Sequence, residues 1–131
     1  MERKIDKKLV VLKMIDQNSE EDKNSALNEC SLMQNIDSPY VLNCEEVYLY
    51  NNEVFMFIQY MRGGELTKIL KAAKRIGHQF SEEFCKYTLF CVANGLRDMH
   101  DKSILHRDIK SDNILFKDDG TIKIADLGFS V

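Results

Sequence analysis

The stretch His106-Arg107-Asp108-Ile109-Lys110-Ser111-Asp112-Asn113, followed by Asp126-Leu127-Gly128, decides how this sequence is read. Ile114 to Lys117 and Thr121 to Ala125 are short β-forming runs around the turn Asp118-Asp119-Gly120, so the whole segment reads as loop, strand, turn, strand. It carries, in order, a carboxylate, an amine, an amide and a second carboxylate. Moving a phosphoryl group asks for such a set. A carboxylate orients the hydroxyl, a cation neutralises the developing charge, and oxygen atoms hold a hard metal such as Mg²⁺.

Composition sets the outer bounds. A chain of 131 residues fits one domain on size alone, and 44% hydrophobic with 30% charged residues argues against disorder. The net charge is −3, with no long basic run, which argues against a nucleic-acid surface as the main function. No apolar stretch approaches a membrane span, and Met1-Glu2-Arg3-Lys4 leads into no signal-peptide core. Cys30, Cys44, Cys85 and Cys91 form no C-x-x-C pair. They read as reduced, mostly buried thiols of an intracellular protein, with no zinc-like spacing.

Strands come first and helices second. Lys8 to Ile15 suits a strand. Asn18-Ser19-Glu20-Glu21-Asp22 supplies helix-start chemistry for a helix to about Asn35, with Ala26, Leu27, Cys30 and Met33 inward. Asp37-Ser38-Pro39 is a turn, and Cys44 to Tyr50 and Val54 to Tyr60 are strands joined at Asn51-Asn52. Gly63-Gly64 precedes a short helix from Glu65 to about Lys74. Ser81-Glu82-Glu83 caps a long helix to about Asp101, with Phe84, Tyr87, Thr88, Cys91, Val92, Gly95 and Leu96 near one stripe.

The motif set resembles the catalytic core of a eukaryotic protein kinase. His-Arg-Asp-x-Lys-x-x-Asn is similar to the serine/threonine branch. Ile-Lys-Ser-Asp-Asn-Ile-Leu, with Asp-Leu-Gly-Phe-Ser and Asn28-Glu29, looks most like the sterile-20 group and its p21-activated members, with the NIMA-related group as competitor. The resemblance implies an α+β fold: part of an antiparallel N-lobe sheet with its αC helix over about 1–60, then the first C-lobe helices and catalytic loop over 61–131. It also implies the roles. Asp108 orients the substrate hydroxyl, Lys110 stabilises the transferring phosphoryl group, and Asn113 and Asp126 ligate Mg²⁺. Lys13, in Val10-Val11-Leu12-Lys13, would hold ATP phosphates and pair with Glu29. The backbones of Gln59 and Met61 would bond adenine behind the gatekeeper Ile58. Glu65 would meet the ribose or a basic substrate residue, and Leu115 belongs with the nucleotide-binding residues. Val11 stands where the family usually has Ala, and Leu127 replaces the common Phe. His106 is implied to be structural, packed with Leu127, Met33 and Cys44. Arg107 is implied to answer a phosphorylated loop residue.

Each residue also has a bland reading. A strand lysine is usually solvated, a helix glutamate is usually a surface charge, and Phe57 to Leu66 alone is an ordinary buried strand entering a Gly-Gly turn. Asp98, Asp101, Asp112, Asp118 and Asp119 read as surface charges or turn formers. The filled positions Lys13, Glu29, Asp108, Lys110, Asn113 and Asp126 together favour a cytoplasmic serine/threonine protein kinase. Its cofactors would be ATP and Mg²⁺, and its partners a protein substrate with Ser/Thr and a regulatory protein. No nucleic acid and no membrane span are expected. The alternative is a truncated, catalytically inactive kinase-like module that binds nucleotide or protein. Small-molecule phosphotransferases share the His-x-Asp and Asn logic but lack the Arg-Asp-x-Lys and Asp-Leu-Gly wording. A family member carries a glycine-rich hairpin before the Lys13 strand, and an activation segment, an Ala-Pro-Glu motif and further helices after Gly128. None of these lies within the 131 residues, so the segment alone is expected to be nearly inactive and to show an apolar patch beside the catalytic loop.

Overall fold

The computed structural model describes residues 1–3, 9–16, 20–51, 53–128 and 130. The expected positions Lys8, Asn18, Ser19, Asn52 and Phe129 lie outside them. Three strands, β1 (Val10–Asp16), β2 (Cys44–Tyr50) and β3 (Glu53–Gln59), make an antiparallel sheet in the order β1-β3-β2. Helix α1 (Glu20–Asn35) crosses one face of it. β3 alternates strictly: Val54, Met56 and Ile58 are buried, and Glu53, Phe55, Phe57 and Gln59 are half-buried. That period-2 pattern fixes which face meets the helix, because a one-residue slip would turn the apolar row outward. Ala26, Cys30 and Met33 of α1 join Val54, Met56, Ile58 and Cys44 in one core, as the helical spacing requires.

The second half begins with β4 (Gly64–Glu65) and α2 (Leu66–Arg75), followed by α3 (Glu82–His100), a 3₁₀ turn at Ser111–Asn113, β5 (Ile114–Phe116) and β6 (Ile122–Ile124). β4, β5 and β6 form a small antiparallel sheet. Glu65 therefore does not open the short helix as the sequence suggested. It pairs with Leu115 in the sheet and occupies the N-cap position of α2 without a side-chain cap bond, after Gly64 turns the chain at φ +75°. At α3, Ser81 accepts the Phe84 N–H at 3.1 Å, and Glu82 and Glu83 sit at the positive helix end.

The two halves share a core. Met99 from α3, Ile104, Ala125 and Leu127 pack into the same cluster as Met33, Cys44 and Ile58. The α1–β2 connection is tied to the second half by hydrogen bonds. Ile124 N–H donates to Tyr40 O and Leu42 N–H to Ile124 O, both at 2.8 Å, and Lys123 Nζ donates to Val41 O at 3.2 Å. α3 passes so close here that a Cβ on Gly95 would lie 2.8 Å from Ile124 Cδ1 and 3.1 Å from the Tyr40 carbonyl oxygen. A second cluster stacks Phe84 on Phe116 at 5.8 Å, beside Cys91, Ile114, Ile122 and Ile124. The expected α3 stripe is narrower than predicted: Thr88, Cys91, Gly95 and Met99 are buried, but Tyr87 is exposed, because α3 packs chiefly on β6. Leu89, Phe90, Leu105 and Ile109 are also exposed.

Candidate functional site

The amine side of the site is built on β1 and α1. Lys13 lies opposite Met56 in the sheet, and its Nζ donates to both oxygens of Glu29, at 2.9 and 2.8 Å. Glu29 is buried on the inner side of α1, while Lys13 keeps part of its side chain in solvent. A buried carboxylate needs such a partner to offset its lost hydration. Beside it, burial pushes the Cys30 thiol up to about 12 and raises Cys44 as well, so both stay protonated sulfhydryls.

The carboxylate side is built from loop backbone. Asp108 Oδ2 accepts from Lys110 Nζ at 2.6 Å and from the Asn113 amide at 3.1 Å, and the same amide donates to the Asp108 carbonyl oxygen at 2.9 Å. The hydrogen bond from Lys110 holds the Asp108 carboxyl below its ordinary value. The reciprocal bond raises Lys110, helped by the fields of Asp112 and Asp126. Asn113 is buried in the 3₁₀ turn; its side-chain nitrogen is committed to Asp108, which leaves its side-chain oxygen for another partner.

His106 ties this loop to the strand that carries Asp126. Its Nδ1 accepts the Asp108 N–H at 3.3 Å, which makes Nε2 the protonated nitrogen that donates to Ala125 O at 2.9 Å. Ala125 N–H in turn donates to Asn113 O at 2.8 Å. His106 is fully buried, as are Met33, Cys44 and Leu127, in keeping with a structural histidine. Arg107 and Asp126 both take left-handed backbone, φ 63° and 65°, which non-glycine residues rarely adopt. Asp126 is exposed, and its Oδ1 accepts the Gly128 N–H at 3.3 Å.

The hinge candidates form the span between the halves. Ile58 and Met61 are buried, Gln59 is half-buried, and the Met61 carbonyl oxygen accepts the Gly64 N–H at 3.1 Å. A cavity of about 660 Å³ opens beside this span, lined by Met1, Leu9, Val10, Val11, Leu12 and Tyr60. Leu115 is half-buried between Glu65 and Lys123 in the small sheet, and the Glu65 carboxylate pairs with Lys68 at 2.8 Å. Ser111 anchors the 3₁₀ turn to α2 through a 2.6 Å bond with Thr67. One reading changes: Asp98 is a tie rather than a plain surface charge, accepting from Ser38 Oγ at 2.6 Å and from Arg97 at 2.9 Å. No local signal marks that pair, whose members are 60 positions apart.

Over residues 1–131 the sequence matches the protein kinase domain family. The chain belongs to that family. The serine/threonine-protein kinase CST20 of Candida albicans is 36% identical over 121 residues, covering 92% of this chain and 9% of that protein. The serine/threonine-protein kinase shk1/pak1 of Schizosaccharomyces pombe is 36% identical over 120 residues, covering 92% of this chain and 18% of the relative. STE20 of Debaryomyces hansenii is 35% identical over 120 residues, with 92% and 11% covered. This kinase domain sequence thus spans between about a tenth and a fifth of the curated relatives it matches, which are kinases of the Ste20 and p21-activated type. The α+β architecture, an antiparallel sheet with one helix followed by the first C-lobe elements, agrees with a part of the kinase fold. Among the described residues no helix is long and apolar enough to cross a membrane.

Proposed function

We propose that this domain transfers the γ-phosphoryl group of ATP to serine or threonine hydroxyls of a protein substrate. The observation that carries the reading is the Asp108 carboxylate, its pKa held down and its position fixed by Lys110 and Asn113, with Lys110 itself in the field of Asp126. Asp108 orients the attacking hydroxyl and takes its proton, and the Lys110 ammonium stands ready for the charge that gathers on the phosphoryl oxygens. The Lys13–Glu29 pair supplies a cation held at a fixed position on β1, suited to ATP phosphates. Gln59 and Met61 offer hinge backbone beside an apolar cavity, Leu115 lies in the small sheet below that span, and Glu65 stands at its end.

The Asn113 side-chain oxygen and the exposed Asp126 carboxylate are oxygen donors of the kind Mg²⁺ prefers, and a metal of this type completes its shell with substrate phosphates and water. When bound, the ion neutralises phosphate charge. Leu127 keeps an apolar, buried side chain next to Asp126, so the substitution leaves the carboxylate available.

The test is phosphate transfer from radiolabelled ATP to a generic basic protein by the protein expressed from its full reading frame, with mass spectrometry of the modified residue. Phosphoserine or phosphothreonine that disappears in Asp108→Asn is the expected result. Nucleotide binding without transfer would instead support the binding-module reading, and phosphotyrosine alone would overturn the acceptor assignment.

A further inference from the structure

The first sheet has a second face that α1 does not touch. In antiparallel pairs, residues directly opposite share a face. The register therefore arranges three rows on this outer side: Leu12–Phe57–Glu46, Met14–Phe55–Tyr48 and Asp16–Glu53–Tyr50. The middle row is wholly apolar and aromatic. Met14, Tyr48 and Tyr50 are 56, 54 and 67% exposed, and no described element covers them. The core-facing side of the same strands is complete, so this exposure does not arise from a misfit within the described core.

The first row shows what chemistry settles on this face. Arg3 reaches across to it, placing Nη1 2.7 Å from Glu46 Oε1 and 3.1 Å from Glu45 Oε2. The Tyr48 hydroxyl donates to the other Glu46 oxygen at 2.6 Å, and its ring meets Phe57 edge to face at 5.7 Å. A guanidinium thus caps the acidic end of an aromatic row. The third row repeats the pattern without a cap: Glu53 stands between Asp16 and Tyr50, and among the described residues no basic side chain pairs with it. The half-buried Glu53 carboxylate is thus the acidic group on this face that a cation from outside can join.

We propose that this outer face docks a basic and apolar segment of a partner protein, with an arginine or lysine at the Glu53 row and an aliphatic or aromatic side chain on Met14, Phe55 and Tyr48. Tyrosine rings offer both apolar area and a negative π-face to such a cation. A second copy of this chain fits less well, because a two-fold contact sets the same patch against itself and would bring acidic rows together, on a chain of net charge −3.

The probe is a fluorescein-labelled eight-residue peptide of alternating arginine and leucine, read by fluorescence anisotropy at moderate salt. Binding should weaken at least ~10-fold in Glu53→Lys and in Tyr50→Ser, the scale of loss expected for interface anchors. It should be unchanged in Leu89→Ser, which removes an exposed side chain of α3. Peptides with glutamate in place of arginine, or serine in place of leucine, should bind weakly. Equal binding by Glu53→Lys, equal loss in Leu89→Ser, or no binding at all would overturn the proposal. So would concentration-dependent dimers, seen by light scattering, that Tyr50→Ser dissolves.

Discussion

Lys13 and Asp108 are fixed by different means. Lys13 rises from regular β-strand, and its ammonium is held by one carboxylate of a helix that packs against the same sheet. Asp108 sits between Arg107, whose φ is 63°, and a 3₁₀ turn, within a mesh that joins His106, Asn113 and Ala125 through backbone groups. The first position depends on where α1 lies. The second depends on local backbone that over-determines a strained conformation. A shift of α1 would therefore release Lys13 while leaving Asp108 in place.

That contrast predicts divergent kinetic signatures, and these are the largest effects. Asp108→Asn should lower kcat by ~10²–10⁴-fold with little change in KM for ATP, the range expected for loss of a positioned acid–base group. Lys13→Met should act first on KM for ATP, and it should also cost about 1–3 kcal/mol of stability, since it leaves the buried Glu29 carboxylate without its partner. Steady-state kinetics with thermal melts separates the two. If both variants lost kcat alone at equal stability, the distinction between a helix-set and a backbone-set arm would fail.

Met99 tests whether the two regions melt as one. It is fully buried in the cluster that also holds Met33 and Ile58, so its truncation leaves a void at the seam. Met99→Ala should cost about 2–5 kcal/mol. A single transition shifted downward is expected in circular dichroism. Two resolved transitions would show that the halves fold independently and that the shared core contributes little.

The parts that were legible in the sequence are those with local signals. The strict alternation in β3, the Ser81 cap and the helical spacing of Ala26, Cys30 and Met33 each encode their own geometry. The Lys13–Glu29 contact was expected only through the resemblance to protein kinases, since a strand lysine and a helix glutamate carry no local sign of pairing. The left-handed backbone at Arg107 and Asp126 was not legible, because neither is glycine and no turn pattern around either residue signals a positive φ. Ser38–Asp98 and Arg3–Glu46 were hidden for the same reason: each joins residues far apart with no pattern around either partner. Glu65 was misread because a helix-forming run follows it directly, while its pairing partner Leu115 lies in another segment.

Backbone strain offers a smaller and sharper comparison. Ser103 shares the left-handed conformation, φ 59°, but it lies in the turn after α3, away from the Asp108 mesh. Ser103→Gly should raise stability by about 0.5–1 kcal/mol, since relief of the left-handed penalty exceeds the entropy glycine adds to the unfolded chain. Arg107→Gly relieves the same penalty inside the catalytic loop and should lower kcat, because the mesh then no longer has a single backbone to hold. If Arg107→Gly were as active as the parent, the strain there would have no functional consequence.

The smallest effect is the pH dependence of the tie between the halves. The Ser38 hydroxyl, followed by Arg97, holds the Asp98 carboxyl below its ordinary value of 3.8. A carboxyl depressed in the folded state adds stability that is fully present above its unfolded value and disappears as pH falls through the lower folded one. Thermal midpoints of the parent and Asp98→Asn should therefore differ by a constant, modest amount from neutral pH down to about pH 5, and converge as pH drops below 3.8. A gap that stayed constant to the lowest pH would mean that the Ser38–Asp98 bond acts through packing alone. In that case the α1–β2 connection would be held by its backbone bonds to Ile124, and α1 would be anchored by the same kind of contact that fixes Asp108.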